Sequence, residues 1–148
     1  MKRFLWFLLT MFGTAAAQAD GRLYVAGGAL SFEQVVERAV AQHPTPGRFF
    51  LLVIGPAVRG LSVTAPDELV EHRQRAAAQG AVFLVCQRDL DRQLFTMIDL
   101  VPGVNPVRGW PKAGEEEFVP GSLLYKDEDP AQLPPSAEAL RRLRATCS

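Results

Sequence analysis

The chain has 148 residues, 48% of them hydrophobic and 22% charged, with 16 basic side chains balanced by 16 acidic ones. That balance excludes the strong basic excess on which non-specific nucleic-acid binding depends. Two cysteines and two histidines, none closely spaced, give no metal signature, and no motif asks for a cofactor.

The amino end reads as an export signal over residues 1–19. Lys2 and Arg3 form a basic start, Phe4 to Phe12 is apolar apart from Thr10, and Ala17-Gln18-Ala19 is a small-x-small cleavage site. An apolar core of about nine residues is too short for a bilayer, which takes about 20. The expected product is an exported, periplasmic protein with no membrane attachment after cleavage. Without its first 19 residues the 148-residue chain keeps 129, with 14 basic and 16 acidic side chains. That length suits one domain with a core of its own.

Strand and helix patterns alternate through the first two-thirds of this domain. Arg22 to Ala26 reads as a first strand, broken by Gly27-Gly28. Ser31 with Gln34 forms a capping box ahead of Val35, Val36, Ala39 and Val40, in a helix that stops by His43 because Pro44 follows. Phe49 to Ile54 is a buried strand. Thr64 caps a second helix, with Asp67 and Glu68 early, Arg73 and Arg75 late, and Gly80 at its end. Ala81 to Cys86 is again a buried strand, and Gln87 to Asp91 opens a helix. The pattern predicts a parallel sheet with right-handed crossovers.

Beyond Cys86 the pattern weakens. Leu90 to Met97 reads as a short helix, and Val104 to Trp110 as a fourth strand that Pro106 places near an edge or a bulge. Pro111 to Gly121 is acidic and aperiodic, with Glu115, Glu116 and Glu117 solvated and Trp110 and Phe118 covering a sheet edge. Ser122 to Tyr125 is a short strand, Pro130 to Pro135 a spacer, and Ser136 to Thr146 a final helix. Leu140 and Leu143 share one face of that helix, with Arg141, Arg142 and Arg144 as favourable charge near its end.

Cys86 is the centre of the site reading. It ends a central strand beside a helix N-terminus, where open α/β sheets place ligands. A free thiol of pKa near 8.5 is only about 3% thiolate at neutral pH, and a helix N-terminus contributes roughly 0.3–1 kcal/mol. Activation therefore asks for a cation, from Arg88 or Arg59, while Asp89 opposes it. Three roles stand open: a packed small hydrophobe, a reactive thiol, or a disulfide with Cys147, the other cysteine, which could also act as a resolving thiol. His43 and His72 read as solvated surface side chains. Gly27-Gly28 and Gly55-Pro56 lack the spacing and lysine of a phosphate loop.

Ile54-Gly55-Pro56-Ala57-Val58-Arg59, the strand closing on Val85-Cys86, Leu90 four residues later, and Asp99-Leu100-Val101-Pro102-Gly103-Val104 resemble the DsrE/DsrF-like superfamily over about residues 20–110. These are small α/β proteins associated with sulfur relay and sulfur oxidation, some of them exported. The resemblance implies a flavodoxin-like, three-layer α/β fold with a mostly parallel sheet of about four to five strands. It also implies a homo-oligomer, trimer or hexamer, and a cysteine at the Cys86 position that carries a persulfide in some members. Two departures stand out. Arg88-Asp89 replaces a small polar pair, and the segment from about residue 111 replaces a helix.

The function implied is a periplasmic sulfur-relay or thiol carrier, holding a sulfane sulfur or a sulfur oxyanion and serving a sulfur-transfer partner protein. Cys86 is then the nucleophile, Cys147 the resolving thiol, and Arg59, Arg88 and Gly55 the ligand contacts. A non-catalytic oligomeric interaction module is the alternative. A thiol-disulfide protein is disfavoured by the absence of a Cys-x-x-Cys pair.

Overall fold

The computed structural model describes residues 22–148; the export signal expected over residues 1–19 lies outside them. Four parallel strands form one sheet in the order β1-β2-β3-β4: β1 (Leu23–Ala26), β2 (Phe49–Val53), β3 (Ala81–Cys86) and β4 (Asn105–Val107). Helices α1 (Phe32–Gln42) and α2 (Asp67–Ala78) connect the first three strands. The expected α/β architecture, a parallel sheet flanked by helices, is present.

The strand order has a consequence for site placement. In a sheet that grows in one direction, right-handed crossovers all lie on one face. Here α1 and α2 share a core with Tyr24, Ala26, Leu51, Val53, Phe83 and Val85. Among the described residues the order never reverses, so they form no switch-point crevice of the kind that positions ligands in doubly wound sheets. The second face must be covered by chain arriving after β4. That chain is a hairpin, β5 (Phe118–Val119) with β6 (Leu124–Tyr125), followed by α4 (Ala137–Thr146). Leu133, Ala139, Leu140, Leu143 and Cys147 cover Leu23, Phe50, Leu52, Leu84, Cys86 and Val107.

Local chemistry accounts for the elements. Ser31 and Gln34 form the expected capping box, and α1 ends at His43. Every residue of β2 is buried, and each such side chain contributes roughly 1.5–3 kcal/mol. Gly27 has φ +106°, and a Cβ there would lie 1.9 Å from the Ile54 carbonyl oxygen, so only glycine lets the exits of β1 and β2 approach this closely.

Several expectations need correction. Thr64 does not cap α2: it bonds Ser62, and the helix begins after Pro66. The loop carrying Arg59 is a 3-10 helix over Gly55–Leu61, bound to α2 through Arg73, which donates to the Gly60 and Ser62 carbonyls at 3.0 Å. The helix after β3 is α3 (Gln87–Asp91), and the stretch expected to extend it to Met97 turns away, with Gln93 at φ 59°. Phe118 and Val119, assigned to an aperiodic loop, pair with β6. His43 is half-buried, stacked on Phe49 at 4.7 Å and 3.0 Å from the Tyr24 hydroxyl. Arg144 is wholly buried.

Candidate functional site

The geometry around Cys86 begins with β3, which delivers it to the second face of the sheet opposite Val107. It is 0% exposed and bonded to Cys147, which is 2% exposed and caps the end of α4. Their Cα atoms are 5.1 Å apart across 61 residues of sequence, inside the usual disulfide range. Of the three roles the sequence left open, the structure contains the disulfide. A bridged sulfur does not titrate, so the thiolate argument concerns only a reduced form of the protein.

Arg88 is held by the segment that the bridge anchors. Its Nη1 donates to the backbone oxygens of Thr146 at 3.1 Å and Ser148 at 2.7 Å, and its Nε to Asp89 Oδ1 at 3.2 Å. Asp89 is 3% exposed, and its Oδ2 has no partner among the described residues. The end of α4 is also fitted against the chain after β4. The Trp110 backbone N–H donates to Ser148 Oγ at 2.8 Å, and a Cβ on Gly109 would lie 2.5 Å from Ser148 Cα.

Gly55 and Arg59, the other predicted contacts, lie elsewhere. They line a cleft of about 480 Å³ with Leu94, Phe95 and Asp99, between the 3-10 helix and the loop after α3. Two backbone bonds join those walls: Val63 N–H to the Asp99 carbonyl and Val101 N–H to the Leu61 carbonyl, both 2.9 Å. Asp99 accepts from the Thr96 hydroxyl at 2.8 Å and backbone N–H at 3.0 Å, which holds its carboxyl below the usual value. Of the cleft's lining Leu94 is 63% exposed, and Val63, Met97 and Ile98, close in sequence to the lining residues Ser62 and Asp99, are exposed as well, Ile98 to 86%. The predicted residues thus fall into two groups, Cys86, Cys147 and Arg88 in one and Gly55 with Arg59 in the other.

A third feature was missed in the sequence. Arg144 donates to Glu128 at 2.5 and 2.9 Å and to the carbonyls of Leu123 and Arg108. Its guanidinium lies 4.9 Å from the Tyr125 ring, and that of Arg108 lies 4.3 Å from the same ring. Arg108 pairs with Glu117 and Asp127, and the Tyr125 hydroxyl donates to Gly109 O at 2.6 Å. Burial raises the Tyr125 pKa, with Glu115 adding to it. The signal was present: Leu140, Leu143, Arg144 and Cys147 follow helical spacing, which puts the arginine in the apolar stripe.

His72 approaches Glu37 at 3.4 Å on the α1/α2 surface. Among the described residues no group of three or more His, Cys, Asp or Glu could hold a metal, and no helix is long and apolar enough to cross a membrane. The chain matches no family model, no curated protein and no solved structure.

Proposed function

We propose that this chain is an exported, DsrE-like interaction module that acts by binding, with the Cys86–Cys147 bridge as a structural staple. One observation carries the reading: both sulfurs are bonded to each other at residues 0% and 2% exposed. Arg88 supports it, since its guanidinium bonds backbone oxygens of the α4 end. A lasting disulfide suits the oxidising compartment that the leader predicts. The binding surface is the rim of the Gly55 and Arg59 cleft, where exposed Leu94, Met97, Ile98 and Val63 form an apolar patch for a second copy of the chain.

A sulfur relay at Cys86 is the second reading, favoured by the fact that Cys147 and Arg88 line an open cleft. It requires a dithiol reductant to open the bridge first; the Cys86 thiolate then takes the outer sulfur of thiosulfate as sulfite leaves, and Cys147 attacks the inner sulfur of that persulfide, re-forming the bridge as hydrosulfide leaves. Intact mass of the exported protein, first reduced, freed of reductant and then incubated with thiosulfate or polysulfide, separates the two. The module predicts a mass about 2 Da below the reduced chain and no adduct. A gain of about 32 Da that reductant removes and Cys86→Ser abolishes establishes the relay. Sedimentation of Ile98→Asp tests the surface: the oligomer falls to monomer, and an unchanged oligomer removes that assignment.

A further inference from the structure

Beside the bridge lies a cleft of about 610 Å³ that the proposed binding surface does not use. Its volume is that of a small-molecule site. Cationic side chains outnumber carboxylates along it: Arg88, Arg92, Arg108 and Lys112 against Asp91 and Glu115. The cations are not equivalent. Arg88 is bound to Thr146 and Ser148, and Arg108 to Glu117 and Asp127, whereas Arg92 and Lys112 have no ion pair among the described residues. Asp91 already accepts a hydrogen bond from Gln87 at 2.9 Å.

Two aromatic residues, Trp110 and Tyr125, line the cleft. Trp110 is 39% exposed, with its ring fixed edge-to-face on Phe118 at 6.2 Å, and Phe118 packs in turn on Tyr125 at 5.2 Å. A half-exposed indole held by a ladder of rings offers a flat surface at little entropic cost. The backbone beneath it is fixed by the Ser148 contacts and the bridge.

We propose that this cleft binds a small organic anion with a planar face, its charge on Arg92 and Lys112 and its face on Trp110. A metal-free anion such as thiosulfate has the charge without the face, and an uncharged ring has the face without the charge. The site goes beyond the interaction reading above and does not depend on it, because its residues lie outside the Gly55 and Arg59 cleft.

Calorimetric titration of the full chain with 1-naphthoate, 1-naphthalenemethanol and thiosulfate tests it. Naphthoate is expected to bind about tenfold more tightly than either of the others and to weaken as salt rises. Arg92→Glu with Lys112→Glu is expected to weaken it about tenfold, and Trp110→Leu about fivefold, each with an unchanged melting profile. If a melting profile does change, Lys112→Glu alone, on an exposed side chain, gives the same test with about a threefold loss. Equal binding of naphthoate and the alcohol, equal binding of thiosulfate, or no effect of the charge reversals overturns the proposal. So does binding of a Glu-rich peptide where naphthoate gives no heat, which assigns the cleft to a protein partner.

Discussion

On the face that carries α1 and α2, the sheet is covered by chain that leaves one strand and returns to the next, so each helix is tethered at both ends by the strands it serves. On the face that carries α4, the cover follows the last described strand of the sheet, and among the described residues it connects no two of the sheet's strands. The first face holds by apolar packing, with α1 placing Phe32, Val35, Val36 and Ala39 in the core. The second adds a covalent bridge, the buried Arg144 paired with half-buried Glu128, and Arg88 reaching across to Thr146 and Ser148. Two-residue strands such as β5 and β6 are marginal on their own, and these ties supply what a crossover supplies by connectivity.

Breaking the bridge should separate the faces most sharply. A Cys86→Ser, Cys147→Ser variant loses about 4 kcal/mol on the chain-entropy account of a 61-residue separation, read by chemical denaturation. Hydrogen exchange should show α4 amides losing protection before β2 amides do, and uniform loss across both would erase the distinction. Arg144→Met comes next, at about 3 kcal/mol, because it leaves Glu128 and two carbonyls without their buried donor. Its cost should shrink in the double serine variant, since both changes loosen the same cover.

The α1/α2 face supplies the control. Val36→Ala should cost about 2 kcal/mol, the same with or without reductant, and should add to the double serine change within about 0.5 kcal/mol. Ser31→Ala removes the capping box and should cost about 1 kcal/mol. The smallest effect concerns Asp99, whose folded pKa is depressed from 3.8 by the Thr96 hydroxyl and then its backbone N–H. Its contribution is present above the unfolded value and is lost as pH falls through the lower folded one. In Thr96→Val an NMR titration should find the Asp99 pKa moved back up, and no movement would discount the hydroxyl.

How much was legible follows the same division. The capping box, the stop at His43, the buried β2 and β3 runs, the Pro106 edge strand and the final helix were readable because each is set by neighbours in sequence. Arg144 was misread because a charged residue in a helix is ordinarily solvated, and its partners lie 16 to 36 positions away. β5 was missed because two residues carry no periodicity. For the site, the sequence identified the two cysteines and kept their pairing among its alternatives, but it grouped Arg59 with Cys86 on the premise of a crevice that this strand order does not make.

Pro106 bears on how copies of this protein can meet. It sits in a three-residue edge strand, and a proline is tolerated there when the N–H it lacks would have faced away from the neighbouring strand. That margin is a poor template for an added strand, which leaves β1 as the other margin of the sheet among the described residues, its Leu23 carbonyl already accepting from Arg142. Joining through β1 alone unites two sheets and then stops. Contact of that kind yields a closed pair, whereas a ribbon would need both margins, and a larger assembly has to be built from the faces and rims instead.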